Sequence, residues 1–467
     1  MNARYADACR LLGANFGFPS FRPMQSRVVR SVLAGRDTLG VLPTGGGKSV
    51  CFQVPALVLG GFTLVVAPLI ALMEDQVGAA RSRGLPAASL AGPLQPADLL
   101  DAFDRVARGE VRLLYISPER LARVADALAG RGLRPALLAV DEAHCIAEWG
   151  HDFRPSYRAI APARDRLGGP PVVALTGSAT PRVREEIIAS LGLGGTRRHC
   201  DVHLASFDRQ NLRFGVRRLS SEGERLEALL ELLRERGRLA IVYASTRKTT
   251  EALASALRQA GHVALAYHAG LAREVRAARL QRFLAGDLGV VVATSAFGMG
   301  IDKPDVRLVV HWSMPPTPES YYQEAGRAGR DGASARCVLL HRAGDAEVHR
   351  RQLAVTFPAR KLAEEIWAGR RGTNRVPRAV VESVERLRVE LRPERGPVDW
   401  RKVEARRAAA LGRIDAVERY ARGRGCRRAE LMGYFGERIA RCAGCGGCDG
   451  SDGGATLMGR LWRAIRA

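Results

Sequence analysis

The chain has 467 residues, and its 46% hydrophobic and 26% charged content is ordinary for a globular protein with room for two or three domains. The formal net charge of +24 is not ordinary, and it indicates a polyanionic partner, for which nucleic acid is the first candidate. Residues 1–13 lack the apolar core of a secretory signal, and glycines and a proline interrupt the long uncharged run at 54–73, so the sequence predicts neither export nor a membrane span.

The positive charge is concentrated toward the carboxyl end. Residues 346–467 carry 27 basic and 15 acidic side chains, so a quarter of the chain holds a surplus of +12, half of the total. A genome biased toward arginine codons would explain why only 5 of the 72 basic residues are lysine, but not why basic residues outnumber acidic ones. The nine cysteines, an odd number, are typical of a protein of the reducing cytosol.

Residues 1–205 alternate short apolar runs with helix-like stretches. This pattern predicts a doubly wound α/β domain, in which ligands gather at the carboxyl ends of the strands. The predicted strands are Thr38–Leu42, Thr63–Ala67, Arg112–Ile116, Leu137–Val140 and Val172–Leu175.

The first predicted strand leads into a glycine-rich segment with the composition of a phosphate-binding loop, although the strict pattern has glycine where Leu42 stands. Glycines let backbone N–H groups approach phosphate oxygens at the start of a helix. A lysine adds positive charge on the outer phosphates, and a serine hydroxyl can ligate Mg²⁺. The residues expected to hold the nucleotide and its metal ion are Thr44, Gly45, Gly46, Gly47, Lys48 and Ser49.

A second motif, Asp141-Glu-Ala-His144, follows the strand Leu137–Val140. The Asp141 carboxylate would complete the Mg²⁺ site, and Glu142 would polarise the attacking water. His144 is interpreted as a polar coupling residue rather than a metal ligand. Together the two motifs predict a protein that binds and hydrolyses a nucleoside triphosphate.

The segment from Trp149 to Tyr157 interleaves aromatic side chains with polar and basic ones. Aromatic faces stack on bases and arginines bind phosphates, so the segment predicts contact with a single-stranded nucleic acid. Packing of these aromatic rings in a core is the alternative, but no apolar period emerges. The candidate DNA-binding residues are Trp149, His151, Phe153, Arg154 and Arg158.

The α/β pattern begins again after Asn211 and predicts a second domain over 206–345. Its predicted strands are Leu239–Tyr243, Val263–Tyr267, Val290–Ala293, Leu308–His311 and Cys337–Leu340, with helices over Thr249–Gln259 and Glu274–Leu284. Arg327 and Arg330 lie three residues apart on a predicted helix turn, from which they can neutralise charge on a transferring phosphoryl group.

Residues 346–450 are predicted to be a helical connector and a zinc-binding subdomain, followed by a basic tail over 451–467. Two successive C-x-x-C steps place three thiolates at a tight turn, and a fourth cysteine upstream closes a tetrahedral Cys₄ zinc site. The alternative is a redox pair, which would sit beside a strand at a helix start; neither is predicted here. The expected zinc ligands are Cys426, Cys442, Cys445 and Cys448.

These motifs resemble those of the RecQ family of superfamily 2 DNA helicases, from about Phe16 to Cys448. The resemblance is carried by Phe16–Gln25, Ala67–Gln76, Tyr115–Arg120, the two nucleotide motifs, Trp149–Tyr157, Ala174–Thr180, Ala293–Asp302, Gln323–Arg330 and the Cys₄ cluster. It implies two tandem RecA-like doubly wound domains followed by a helical zinc-binding subdomain. In the third helicase motif, Gly177-Ser178 stands where Ala-Thr is more usual.

The resemblance assigns further residues to the nucleotide. Phe18 and Arg22 would sandwich the adenine, Gln25 would hydrogen-bond its edge, and Asp302 and Gln323 belong to the fifth and sixth motifs. Only 19 residues follow Cys448, so a short form without the usual winged-helix and C-terminal helical domains is expected. The link over 365–410 looks longer than usual, and it is interpreted either as a substitute for the wing or as a solvated helical spacer.

The function implied is that of an ATP-dependent DNA helicase that translocates 3′ to 5′ on single-stranded DNA and unwinds duplexes in recombination and repair. The expected cofactors are ATP, Mg²⁺ and Zn²⁺. The expected partners are single-stranded DNA, tailed or forked duplexes and a single-stranded-DNA-binding protein, with the chain acting as a cytoplasmic, nucleoid-associated monomer. The alternatives are a DNA-stimulated translocase without efficient strand separation, an RNA helicase, and a zinc-bearing scaffold with an inactive ATP site.

Overall fold

The computed structural model describes residues 2–452 except 44, 91, 93–94, 149–151, 196–197, 237–238, 299–302, 370–375 and 392–398. The chain divides into two compact units, the first being Met1–Phe207 and the second beginning at Asp208. Within the described ranges, no helix combines the length and apolarity needed to cross a bilayer.

The first unit is built on a sheet of seven parallel strands in the order β3-β4-β2-β5-β6-β1-β7. Side chains alternate between the two faces of a strand, and both sets are buried: Val65 belongs to one core cluster, while its neighbours Leu64 and Val66 are equally inaccessible. Helices therefore cover both faces. The strands are β1 Asp37–Val41, β2 Thr63–Val66, β3 Ala87–Ser89, β4 Leu113–Ile116, β5 Leu137–Val140, β6 Val172–Thr176 and β7 Cys200–Leu204.

The helices of this unit have recognisable start signals. Proline occupies one of the first helical positions in four of them, where its missing N–H costs nothing, and the Thr180 hydroxyl accepts from Val183 N at the start of the last. They are α1 Asn2–Phe16, α2 Pro23–Leu33, α3 Val50–Val58, α4 Ile70–Ser82, α5 Pro96–Ala107, α6 Pro118–Gly130, α7 Ile160–Arg166 and α8 Pro181–Ser190, with 3₁₀ turns at Ala143–Ile146 and Pro155–Ala159.

The second unit repeats the design with six parallel strands in the order β10-β11-β9-β12-β13-β8. Its strands are β8 Leu212–Leu219, β9 Ala240–Tyr243, β10 Ala264–Tyr267, β11 Val290–Ala293, β12 Leu308–His311 and β13 Ala335–Arg342. The helices between them are α9 Glu222–Arg236, α10 Arg247–Gln259, α11 Arg273–Ala285 and α12 Pro318–Ala325. The prediction of two doubly wound α/β domains is confirmed, although β3, β7 and β8 were not predicted.

A helical region follows the second sheet, as the sequence predicts. It comprises α13 Asp345–Thr356, α14 Arg360–Trp367, α15 Arg378–Leu391, α16 Trp400–Arg422, α17 Arg427–Tyr434 and the short α18 Gly446–Asp449. The helices of the long link form a core of their own, in which Ile366 and Val384 are buried and the rings of Trp367 and Trp400 lie 5.4 Å apart. Because α15 and α16 also pack on α13, the link is a folded extension of the second unit.

Candidate nucleotide site and zinc centre

The glycine-rich loop after β1 adopts a conformation that strongly favours glycine. Gly45 and Gly47 have φ of +80° and +69°, and the Gly46 N–H donates to Pro43 O at 2.8 Å. A Cβ on Gly46 would lie 2.8 Å from that same oxygen. Leu42, which departs from the strict pattern, is buried in the core, and its N–H donates to Thr176 O at 3.0 Å. It directly follows β1 and continues the buried run of that strand.

Two residues assigned to adenine recognition hold this loop. Arg22 Nη1 donates to Gly45 O at 2.7 Å, and Gln25 Nε2 donates to the carbonyls of Gly46 and Gly47 at 3.0 and 3.2 Å. The Arg22 N–H in turn donates to Gln25 Oε1 at 2.9 Å. Phe18 is 51% exposed, so its ring has a free face for stacking.

The acidic motif lies at the carboxyl end of β5, next to the loop. Asp141 accepts hydrogen bonds from Gln76 Nε2 at 3.1 Å and from Glu142 N at 2.9 Å. Lys48 Nζ lies 3.9 Å from Glu142 Oε1 in a largely buried ion pair. Burial, reinforced by the negative charge of Glu142, raises the pKa of Asp141, so a nearby cation would stabilise its charged form.

Glu142 itself is conformationally unusual. Its φ of 46° makes it the only residue other than glycine with positive φ in the described part of the chain. A left-handed glutamate costs free energy and is retained where the surrounding structure fixes it. In this conformation its carboxylate lies between Lys48 Nζ and His144 Nδ1, at 3.9 and 3.3 Å respectively.

A buried hydrogen-bond network connects the acidic motif to β6. His144 Nδ1 lies 2.9 Å from Thr176 Oγ1, and the Thr176 hydroxyl also bonds the backbone of Ser178. Tyr157 donates from its hydroxyl to Asp141 O at 3.0 Å. His144 thus links the acidic motif to the segment that resembles the third helicase motif, and its coupling role stays a prediction.

The segment predicted to bind DNA is only partly described, because Trp149 and His151 lie outside the described residues. Arg154 is anchored on both sides: its N–H donates to Cys145 O at 2.8 Å and its Nη1 to Pro68 O at 2.7 Å. Arg158 forms an ion pair with Glu148, and its guanidinium lies 5.3 Å from the Phe153 ring. The pairing of Arg158 was not predicted, and a phosphate at this position would compete with Glu148.

In the second unit, the arginines of the sixth motif lie beyond the end of a helix. Gln323 is on α12, which ends at Ala325, whereas Arg327 and Arg330 are in the turns that follow; the predicted helical placement of the arginines is therefore wrong. Arg327 donates to Gly298 O, and a Cβ on Gly298 would collide with its guanidinium. Thr44 and Asp302, also assigned to the nucleotide, lie outside the described residues.

The four predicted zinc ligands come together. Their four sulfur atoms all lie within 4.8 Å of one another, and the residues are Cys426, Cys442, Cys445 and Cys448. Burial opposes ionisation of Cys445, but N–H groups of Arg428 and Cys448 outweigh it and lower the pKa of this thiol to about 7. Four thiols at this spacing, one of them poised to ionise, fit the Cys₄ set that holds structural Zn²⁺.

The cysteines lie at a helix start, contrary to the prediction. The sequence predicted no strand or helix start here, but α18 begins directly after Cys445, and a β-bridge joins Cys445 to Phe214. The choice of zinc nevertheless agrees with the structure, because all four sulfurs converge. Gly446 and Gly447 permit that convergence, since a Cβ on either would overlap Asp452 or Gly425.

Two arginines next to the cysteines are fully buried, which sequence reasoning did not predict. Arg427 donates to Asp452 Oδ2 at 2.5 Å and to the carbonyl of Gly423 at 2.6 Å. Arg428 pairs with Asp208 and donates to Arg209 O at 3.0 Å. The zinc region is thereby tied to the residues that lead into β8.

Comparison with protein families agrees with these sites. A DEAD/DEAH box helicase model matches residues 22–187, and a helicase conserved C-terminal domain model matches residues 224–332. The fold and the site thus define the two RecA-like domains of a superfamily 2 helicase. A RecQ zinc-binding model matches residues 384–450.

Individual proteins of similar sequence assign the chain to one family within this class of helicases. The chain is 42% identical over 344 residues to the ATP-dependent DNA helicase RecQ of Bacillus subtilis, across 73% of this chain and 57% of that protein. It is 38% identical to the probable ATP-dependent DNA helicase RecS of the same organism, across 75% of this chain and 70% of that protein. The chain therefore belongs to the RecQ family of helicases. It spans little more than half the length of several relatives, including 54% of the Haemophilus influenzae RecQ.

Solved structures with a similar fold are more distant. Dbp5 of S. cerevisiae matches with a TM-score of 0.57 and 16% identity, over 75% of this chain and 90% of that one. The Mycobacterium smegmatis helicase Lhr, solved with ssDNA and AMP-PNP, matches with a TM-score of 0.53 and 22% identity, over 87% of this chain and 56% of that one. At these identities the likeness establishes the shared fold.

Proposed function

We propose that this protein is an ATP-dependent DNA helicase that moves 3′ to 5′ along single-stranded DNA and unwinds tailed or forked duplexes during recombination and repair. The observation that carries the proposal is the convergence of Lys48, Asp141 and Glu142 beside a loop shaped for phosphate. The net charge of +24 and the Cys₄ cluster favour DNA as the polymer on which ATP hydrolysis acts.

In the proposed reaction, the loop N–H groups and Lys48 bind the phosphates of ATP, and Glu142 orients the attacking water. Lys48 pairs with Glu142 in this structure, so the phosphates of ATP would compete with the Glu142 carboxylate for the ammonium group. The carboxylate released from Lys48 could then orient the attacking water. Ser49 and Asp141 would hold Mg²⁺, which when bound neutralises charge on the phosphates. Arg327 and Arg330 are assigned to the transferring phosphoryl group, and Gln323 to the same motif.

Coupling to DNA is assigned to the network around His144. Its imidazole contacts Thr176 and Glu142, and Tyr157 of the aromatic-rich segment donates to the backbone of Asp141. A base stacked on that segment, with a phosphate on Arg154 or Arg158, would shift these contacts and so adjust Glu142. This arrangement supports ATP hydrolysis that depends on bound DNA.

The decisive experiment measures ATPase activity and strand separation together. Lys48→Ala is expected to abolish DNA-stimulated ATP hydrolysis, because Lys48 is the only lysine in the sequence of residues 1–207. Lys402→Ala, on the exposed surface of α16, is expected to retain it. Wild-type protein is expected to separate a 3′-tailed duplex and to leave a 5′-tailed one intact. Substantial ATPase in Lys48→Ala would contradict the assigned site, and DNA-stimulated ATPase without displacement would favour a translocase.

The remaining assignments are proposals of the same kind. They comprise a division into 1–205, 206–345, 346–450 and 451–467, a monomeric state, a cytoplasmic location at the nucleoid and an interaction with a single-stranded-DNA-binding protein. Stimulation of ATPase by DNA but not by RNA would support the choice of polymer, and equal stimulation by both would contradict it.

A further inference from the structure

Three side chains that can ligate a metal ion lie together where the acidic motif of the first unit ends, apart from the Cys₄ cluster. One donor atom each of His144, Cys145 and Asp152 lies within 4.8 Å of the others. Cys145 Sγ is 3.9 Å from His144 Nε2 and 3.6 Å from Asp152 Oδ2. His144 and Cys145 are buried, whereas the Asp152 side chain is 44% exposed, so the cluster opens to solvent on one side.

The two ring nitrogens of His144 face different partners: Nδ1 faces oxygen atoms and Nε2 faces the Cys145 thiol. Nδ1 lies 2.9 Å from Thr176 Oγ1 and 3.3 Å from Glu142 Oε2, and Nε2 lies 3.9 Å from Cys145 Sγ. Binding of an ion at Nε2 requires the neutral imidazole with its proton on Nδ1, where these oxygens can accept it. This is the arrangement of a metal-binding imidazole, whose other N–H is fixed by an oxygen acceptor.

The Cys145 thiol lies between two acceptors. As a thiol, the sulfur carries one proton. That proton can be donated to His144 Nε2 or to Asp152 Oδ2, but not to both at once. A divalent cation in its place would bind the thiolate, the imidazole and the carboxylate together and release the proton to solvent. Zn²⁺ accepts this set of nitrogen, sulfur and oxygen ligands and keeps a fourth position for water.

We propose that His144, Cys145 and Asp152 form a second, reversible zinc site that restrains the DEAH box and lowers DNA-stimulated ATP hydrolysis. His144 belongs to the network that reaches Thr176, and Asp152 belongs to the aromatic-rich segment, so one ion would join the acidic motif to that segment and oppose changes in their contacts. The inhibitory effect rests on the proposed function, whereas zinc binding does not.

The binding test uses the full chain with its Cys₄ site loaded and loosely bound metal removed by a chelating resin. Zn²⁺ is titrated calorimetrically, without nucleotide or DNA, into wild type, Cys145→Ala, Asp152→Asn and the control Cys9→Ala, a partly buried cysteine of α1. Wild type and Cys9→Ala are expected to bind one further Zn²⁺ per chain, with affinity about tenfold or more weaker in the two site variants. Equal affinity in wild type and both site variants would overturn the site. Asp152→Asn preserves shape at a half-exposed position, so it remains informative if Cys145→Ala does not fold.

The regulatory test measures DNA-stimulated ATPase with Mg²⁺ in excess and Zn²⁺ at the calorimetric dissociation constant. Wild type and Cys9→Ala are expected to lose about half their ATPase activity and to recover it when a chelator is added. Cys145→Ala and Asp152→Asn are expected to lose a smaller fraction of their activity at the same Zn²⁺ concentration. Equal inhibition of all four proteins would refute the regulatory role. A wild-type protein without any ATPase would contradict the proposed function, while calorimetry would still decide the zinc site.

Discussion

Replacing Arg428 by methionine tests whether the buried arginines fasten the zinc region to the second sheet. The Arg428 side chain is inaccessible to solvent and pairs with Asp208, which is 12% exposed, and it also donates to the carbonyls of Arg209 and Leu212. Methionine fills similar space but leaves a carboxylate and two carbonyls without this donor. Because breaking a buried ion pair costs about 3–5 kcal/mol and Asp208 retains some solvent, we expect a loss of about 3 kcal/mol.

That loss is measurable as amide hydrogen exchange in β8 and α17, because exchange reports the free energy of local opening. About 3 kcal/mol corresponds to exchange roughly a hundredfold faster. Arg424→Met, at an exposed position in the same connection, is the matched control and is expected to change stability by less than about 0.5 kcal/mol. Adding Asp208→Asn to Arg428→Met should recover part of the loss, since the carboxylate charge that Arg428 faced disappears. Equal exchange in Arg428→Met and Arg424→Met would refute the reasoning.

Three further predictions concern the functional sites. Gly46→Ala is expected to weaken ATP binding, because its Cβ would lie 2.8 Å from Pro43 O. Gly78→Ala on α4, where a Cβ meets open space, serves as the control. Unchanged nucleotide affinity in Gly46→Ala would contradict the loop assignment. Arg330→Ala is expected to bind ATP nearly normally while turnover falls by about 10³-fold, as for loss of an arginine that stabilises the transition state; normal turnover would reject this role. Cys445→Ser is expected to lose the Cys₄ zinc, measured by elemental analysis, and full zinc content would exclude Cys445 as a ligand.

The strands that sequence reasoning missed share a physical property: β3, β7 and β8 each lie at an edge of a sheet. Central strands are buried on both faces and appear as continuous apolar runs, which is why β5, β11 and β12 were predicted with their observed bounds. An edge strand has an exposed side, so β7 carries Asp201 and His203 among its apolar residues and lacks that signal.

The site could be predicted where its residues follow one another along the chain. The phosphate loop, the acidic motif and the Cys₄ spacing are local patterns whose chemistry depends on residue type and interval. The partners Gln76 of Asp141, Glu148 of Arg158 and Asp208 of Arg428 were not predicted, because their contacts depend on how distant segments pack. The burial of two arginines likewise could not be predicted from a sequence in which arginine is abundant and mostly exposed.

Asp452 determines where a recombinant fragment of this protein can safely stop. It lies four residues past the last cysteine and beyond the match to the zinc-binding family at 450, yet its carboxylate accepts from Val216 N at 2.8 Å and from the inaccessible Arg427. Cutting at the end of the family match would remove the nearer carboxylate of this inaccessible guanidinium and leave Glu430, at 4.0 Å, as its acidic partner. An expression boundary drawn from homology alone would thus yield a shortened product prone to misfolding for reasons unrelated to metal content.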